Sequence, residues 1–250
     1  DNENNFGDNG GFLGDNSKFD ILDWDLDSLE RESDNDGYQM SSRDYKQFVP
    51  GQYYHIYNRG NNRMDIYRDD QDHYNFLKRV RLTLGLDQNL QRITPQTLRI
   101  QPLPENSFSI ICYCLMPNHF HFLLKQNENI PVSKFINKVC TSYSKYFNKK
   151  YDRVGHLFQD QFKAVNVEKD EYLLWLSAYI HQNPKIAGIG NLDYKWSSYN
   201  DYINLNSGGI CNKDIISSRF SINDYRSFVE ESHEVIKQNK IIDKVHLLLD

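Results

Sequence analysis

With 250 residues, 39% of them hydrophobic, the chain is long enough for one large domain with extensions. It shows no signal peptide and no apolar run near the roughly eighteen residues of a membrane span, which excludes a membrane-embedded function and points to the cytoplasm. The net charge of −5 is segregated: residues 1–40 hold twelve Asp or Glu against Lys18 and Arg31, a balance of −10 that leaves +5 behind, and a mildly basic body suits a polyanionic partner.

Residues 1–45, rich in Asp, Asn and Gly, read as a disordered acidic tail. Within it, Phe19 to Leu29 interleaves acids with Ile21, Leu22, Trp24, Leu26 and Leu29, a pattern suited to transient folding on a partner or to competition with DNA for the basic body. A domain is expected over 46–205, and a helical extension over 206–250. Gln52 to Gly60 is β-rich and ends in a glycine turn. His73 to Leu86 carries Tyr74, Leu77, Val80 and Leu84 at helical spacing, with Lys78, Arg79 and Arg81 on its other face. Residues 87–106, holding Pro95, Pro102 and Pro104, read as a loop or insertion. Ser107 to Met116 is a second strand, turning at Pro117-Asn118 into a third.

That third strand, Met116 to Lys125, carries His119 and His121 on one face and Phe120, Phe122 and Leu124 on the other. Strand side chains alternate, so residues two apart share a side about 7 Å apart. The apolar face calls for a core, and the opposite one presents two imidazoles at chelating distance. The four cysteines lack zinc-like pairing, and Cys112 and Cys114 on one apolar strand favour buried thiols.

Ile130 to Lys150 reads as a helix with Val132, Phe135, Ile136, Val139, Tyr143 and Tyr146 near one stripe. Tyr151 to Val167 is a loop and a short strand. Asp170 is placed as the N-cap of the next helix, which Pro184 should stop. A short aromatic segment, Trp196 to Tyr202, follows, then a helix from about Ile222 and a final helix. The order strand, helix, strand, strand, helix, strand, helix implies an α+β fold, a ferredoxin-like antiparallel sheet with helices packed on it.

On the helix from Glu171 to Asn183, the residues Tyr172, Trp175, Tyr179 and Asn183 form one continuous face. Residues four apart place the Tyr179 phenol and the Asn183 amide oxygen about 6 Å from each other. Laid over the histidines, this face would let a hard cation take two imidazoles and one amide oxygen, with positions left for water and phosphate. A tyrosine is only about 0.1% phenolate at neutral pH, so a Lewis acid on the phosphate would help its attack. An aromatic helical stripe can equally be core, and Asn before Pro an ordinary helix stop.

From about Tyr53 to Tyr202 the chain resembles the REP-associated tyrosine transposases, relatives of the IS200-like transposases in the HUH endonuclease superfamily. The stretches that carry the resemblance are YHIYNRGNNRMDIY, CYCLMPNHFHFLL, SYSKYFNKKYDRVGHLFQDQFKA, YLLWLSAYIHQNPKIAG and KWSSYNDY, in family order. The resemblance implies His119 and His121 as metal ligands, Tyr179 as nucleophile and Asn183 as third ligand. It implies Mg²⁺ or Mn²⁺ as cofactor, single-stranded DNA with a hairpin as partner, and a 5′-phosphotyrosine intermediate that leaves a free 3′-OH. Gln161 departs from it, standing where the family usually has a basic residue. Arg59, Arg63, Arg153 and Lys163 are candidate phosphate contacts, with His55, His73, His156 and His181 behind them. Family relatives act as monomers or dimers, so a homodimer stays open. The alternative readings are a non-catalytic hairpin-binding protein derived from a transposase, and a zinc hydrolase.

Overall fold

The computed structural model describes residues 48–86, 89, 100–159, 161–203 and 209–249, with side chains through 238. The expected acidic tail and most of the 87–106 segment lie outside the described residues. Strand β1 (Tyr53–Arg59), helix α1 (Asp70–Leu84), strands β2 (Phe108–Met116) and β3 (His119–Gln126), helix α2 (Val132–Lys150) and strand β4 (Lys163–Val167) follow as βαββαβ. The strands pair in the order β2-β3-β1-β4, antiparallel throughout, which is the ferredoxin-like arrangement. Helices α3 (Asp170–Ile186), α4 (Tyr199–Ile203), α5 (Asp214–Ser217) and α6 (Ile222–Leu249) complete the chain. None of the helices among the described residues is long and apolar enough to cross a membrane.

Both faces of the sheet are covered, by different helices. Tyr54, Ile56, Phe120, Phe122 and Leu124 share one core with Phe76 and Val80 of α1 and Phe135, Val139 and Tyr143 of α2. Cys112, Cys114, Met116, Leu123 and Val167 share a second with Leu173, Leu176 and Ile180 of α3 and Val229 of α6. Covering on both sides explains why β2 reads as an unbroken apolar run rather than an alternating one. A register shift between Ile110 and Cys112 re-phases its pairing with β3. Cys112 and Cys114 are buried thiols outside any disulfide.

Local chemistry sets the helix ends. Asp69 caps α1, its carboxylate accepting from the Asp72 N–H at 2.9 Å, and Gly85 closes the helix in the left-handed region at φ 67°. Just after β1, Gly60 is required for space: a Cβ there would lie 2.1 Å from the Met64 carbonyl oxygen. Helices α1 and α2 are tied by Asp72, fully buried, which accepts from Lys150 Nζ at 2.7 Å, Tyr151 Oη at 2.7 Å and Tyr146 Oη at 3.0 Å. Tyr143 is wholly buried, with its hydroxyl donating to the Ile66 carbonyl.

Five expectations need correction. Tyr74 is exposed rather than part of the inner stripe of α1, because Phe76, Val80, Thr83 and Leu84 fill that side. Arg79 turns inward instead of outward: its guanidinium lies 4.9 Å from the Tyr146 ring centre and donates to the Asn75 carbonyl at 2.8 Å. Lys169, not Asp170, takes the N-cap of α3, and the helix runs through Pro184 to Ile186. Proline in a last turn forfeits one backbone bond. The end is closed instead by the Ala187 N–H on Asn183 O and the Gly188 N–H on Lys185 O. The C-terminal segment is one helix from Ile222 to Leu249, not two.

Candidate active site

The sheet register places the functional side chains. His121 on β3 is opposite Cys114 of β2 on one side and Tyr57 of β1 on the other, and Tyr57 in turn is opposite Lys163 of β4. One residue pair along, His119 lies between Met116 and Arg59. Cross-strand partners point to the same face, so these residues share the α3 side of the sheet. Here α3 leaves His119, Tyr57 and Lys163 half-buried and Arg59 exposed. The His119 and His121 rings are edge-to-face with centres 5.0 Å apart.

Each imidazole has its Nδ1 engaged. His119 Nδ1 is 2.6 Å from Asn118 Oδ1, an oxygen that only accepts, so the ring nitrogen donates. His121 Nδ1 is 3.0 Å from Nε2 of His55, with the two rings stacked at 17°. His55 is 2% exposed, and burial lowers its pKa to about 3, so it is neutral. His119 thus carries its proton on Nδ1 and its lone pair on Nε2, the tautomer that can ligate a cation, whereas the proton between His121 and His55 can sit on either ring. No group of three or more His, Cys, Asp or Glu that could hold a metal occurs among the described residues. The Asn183 amide is a donor of another type.

The Tyr179 ring of α3 lies 6.0 Å from His121 and 6.4 Å from His55, edge-on to both, and its other neighbour Trp175 is nearly parallel at 6.1 Å. Asn183 Nδ2 donates to the Tyr179 carbonyl at 2.9 Å, and its Oδ1 is the atom of the amide that is of ligating type. The structure therefore brings His119, His121 and Tyr179 onto one sheet–helix interface within a single chain, with buried Asn183 one turn further along α3. Arg59 and Lys163 flank it. Arg63 is exposed in the 3-10 turn Asn61–Arg63, while Arg153, between α2 and β4, donates to Asn148 Oδ1 at the end of α2 at 2.9 Å and to the His156 carbonyl in its own loop at 3.3 Å.

The opposite side of α3 is held just as firmly. His181 Nδ1 is 2.9 Å from Tyr225 Oη of α6, and its Nε2 is 2.9 Å from Ser198 Oγ. Gln182 bonds to the Val229 carbonyl and to His233 Nδ1 of α6. His181 is wholly buried, and burial lowers its pKa to about 3. His55 and His181 are thus interior residues, not phosphate contacts, because neither ring reaches solvent. The partnership of His55 with His121 escaped the sequence reading; the odd-numbered phase that it shares with Tyr57 on β1 was the available signal.

A family model described as "Transposase IS200 like" matches residues 49–183, from just before β1 through Asn183. The chain belongs to the IS200-like transposase family. Among solved structures, this IS200-like chain is similar to a REP-associated tyrosine transposase bound to a REP hairpin, at 16% identity and a TM-score of 0.47, covering 70% of this chain and 90% of that one. It is also similar to a putative transposase from Deinococcus radiodurans R1, at 11% identity and a TM-score of 0.35, covering 60% and 98% respectively. No curated protein matches it.

Proposed function

We propose that this IS200-like transposase cleaves and rejoins single-stranded DNA at hairpin-bearing ends, as its resemblance to the REP-associated tyrosine transposases implies. The observation that carries the reading is the Tyr179 ring 6.0 Å from His121, on a helix packed against the histidine strand. Mixed nitrogen and oxygen donors of His119, His121 and Asn183 suit Mg²⁺ or Mn²⁺, which when bound would supply Lewis-acid polarisation of the phosphate.

The chain's own residues do the rest. Trp175 and His121 pack around the phenol and fix its direction. Tyr179 Oη attacks the phosphorus, the bond from phosphorus to the 3′ oxygen breaks, the phenol proton leaves to solvent and the departing oxygen takes one up. A phosphodiester is exchanged for a 5′-phosphotyrosine and a free 3′-OH, so no nucleoside triphosphate is consumed. In rejoining, a 3′-OH attacks that linkage and the tyrosine departs. Arg59 and Lys163 bind flanking phosphates.

The test is a 3′-labelled hairpin oligonucleotide incubated with the full chain and Mg²⁺, run on a denaturing gel. A covalent protein–DNA band is expected. It should vanish in Tyr179→Phe while binding is kept, and EDTA should stop cleavage but spare binding. Cleavage without an adduct refutes the tyrosine mechanism, and binding without cleavage makes the chain a hairpin-binding relative.

A further inference from the structure

We infer that His55 is a positioning residue for the cation site, setting the tautomer of His121; this rests on the metal-dependent reading above. A hydrogen bond between two ring nitrogens needs one N–H and one lone pair. The contact joins Nδ1 of His121 to Nε2 of His55 at 3.0 Å, so it has two forms. In one, His121 Nδ1–H donates and its Nε2 carries a lone pair. In the other, His55 donates and the His121 proton sits on Nε2, where it blocks ligation.

Only the first form is compatible with a cation at His121 Nε2. His55 then accepts at Nε2 and carries its own proton on Nδ1. The neighbouring ligand is prepared in the same way by a different acceptor: Asn118 Oδ1 takes the His119 Nδ1 proton at 2.6 Å. The two histidines thus receive separate partners, one from the turn that opens β3 and one from β1. The His55 contact is also sealed, since His55 is 2% and His121 4% exposed, so water has little access to replace it. The stacked rings, 5.2 Å apart at 17°, hold the donor direction, and Tyr57 packs against both. Outer partners of this kind typically raise metal affinity about 10–100-fold by fixing ring orientation and tautomer.

The experiment measures Mn²⁺ binding to the full chain without DNA, by the electron-spin signal of free Mn²⁺, in wild type, His55→Leu, His55→Gln and His121→Ala. Leu removes the acceptor, whereas the Gln carboxamide oxygen reaches about where Nε2 does. Expected are roughly 10–100-fold weaker binding in His55→Leu, recovery of most of the loss in His55→Gln, and loss of the site in His121→Ala. Unaltered Mn²⁺ affinity in a folded His55→Leu overturns the inference and leaves the metal reading intact. Wild type that binds no better than His121→Ala overturns the metal reading itself. Should His55→Leu fail to fold, ¹⁵N long-range correlation spectra of the wild-type chain decide: a proton on His121 Nδ1 supports the inference, and a proton on Nε2 overturns it.

Discussion

Acid should weaken the hold of α6 on the helix that carries Tyr179, through His181. Burial lowers the pKa of this imidazole to about 3 from its ordinary 6.5, and both ring nitrogens are already committed to Tyr225 and Ser198. The unfolded chain therefore binds a proton that the folded chain refuses. The stability contributed is fully present above pH 6.5 and is lost as pH falls from 6.5 toward 3. With those two values, one site takes ~2 kcal/mol off the unfolding free energy between pH 7 and pH 5. The assay is urea unfolding followed by circular dichroism at pH 7, 6 and 5, for wild type and His181→Gln. Glutamine can hydrogen-bond but does not titrate, so the variant should lose ~2 kcal/mol less than wild type over this range, whatever its stability at pH 7. His55 shifts in the same direction but is present in both proteins and cancels. Equal losses in the two proteins would refute the reasoning.

Asp72→Ala should destabilise by about 3 kcal/mol, the low end for breaking a buried ion pair, because Lys150 keeps Asp69 at 2.6 Å. A fall in Tm of ~6–12 °C in a thermal scan is expected; a fall under ~2 °C would mean that the network is not a clamp. Arg59→Ala and Lys163→Ala should each weaken hairpin binding and flatten the plot of log affinity against log salt by ~0.7. A slope that stays at the wild-type value in both would remove them from the phosphate path.

Which candidate side chains share a face was legible in the sequence, for reasons that are local. Period-two alternation in MPNHFHFLLK puts both histidines on one side of β3 whatever that strand pairs with. Helical spacing likewise aligns Trp175, Tyr179 and Asn183 without reference to the rest of the chain. Helix rotation was less legible: Tyr74 and Arg79 each fit the pattern read for them, but Phe76 competes for the core and two tyrosine rings of α2 offer Arg79 a cation–π berth. That competition is settled between helices, not within one. The same holds at Pro184, where bonds from residues 187 and 188 finish a helix that the proline was expected to end.

What the chain determines by itself is which side chains share a face, since that follows from backbone period within a single element. What only the tertiary structure decided is which faces meet. The antiparallel pairing of β1 with β3 sets His55 diagonally across from His121, whose direct partner is Tyr57, and α3 lies on the histidine side with its tyrosine edge-on to that ring. His181, two residues beyond Tyr179, is turned instead toward α6 and Ser198. Contacts between elements depend on register and packing over separations of 17 to 66 residues, and no local pattern encodes them.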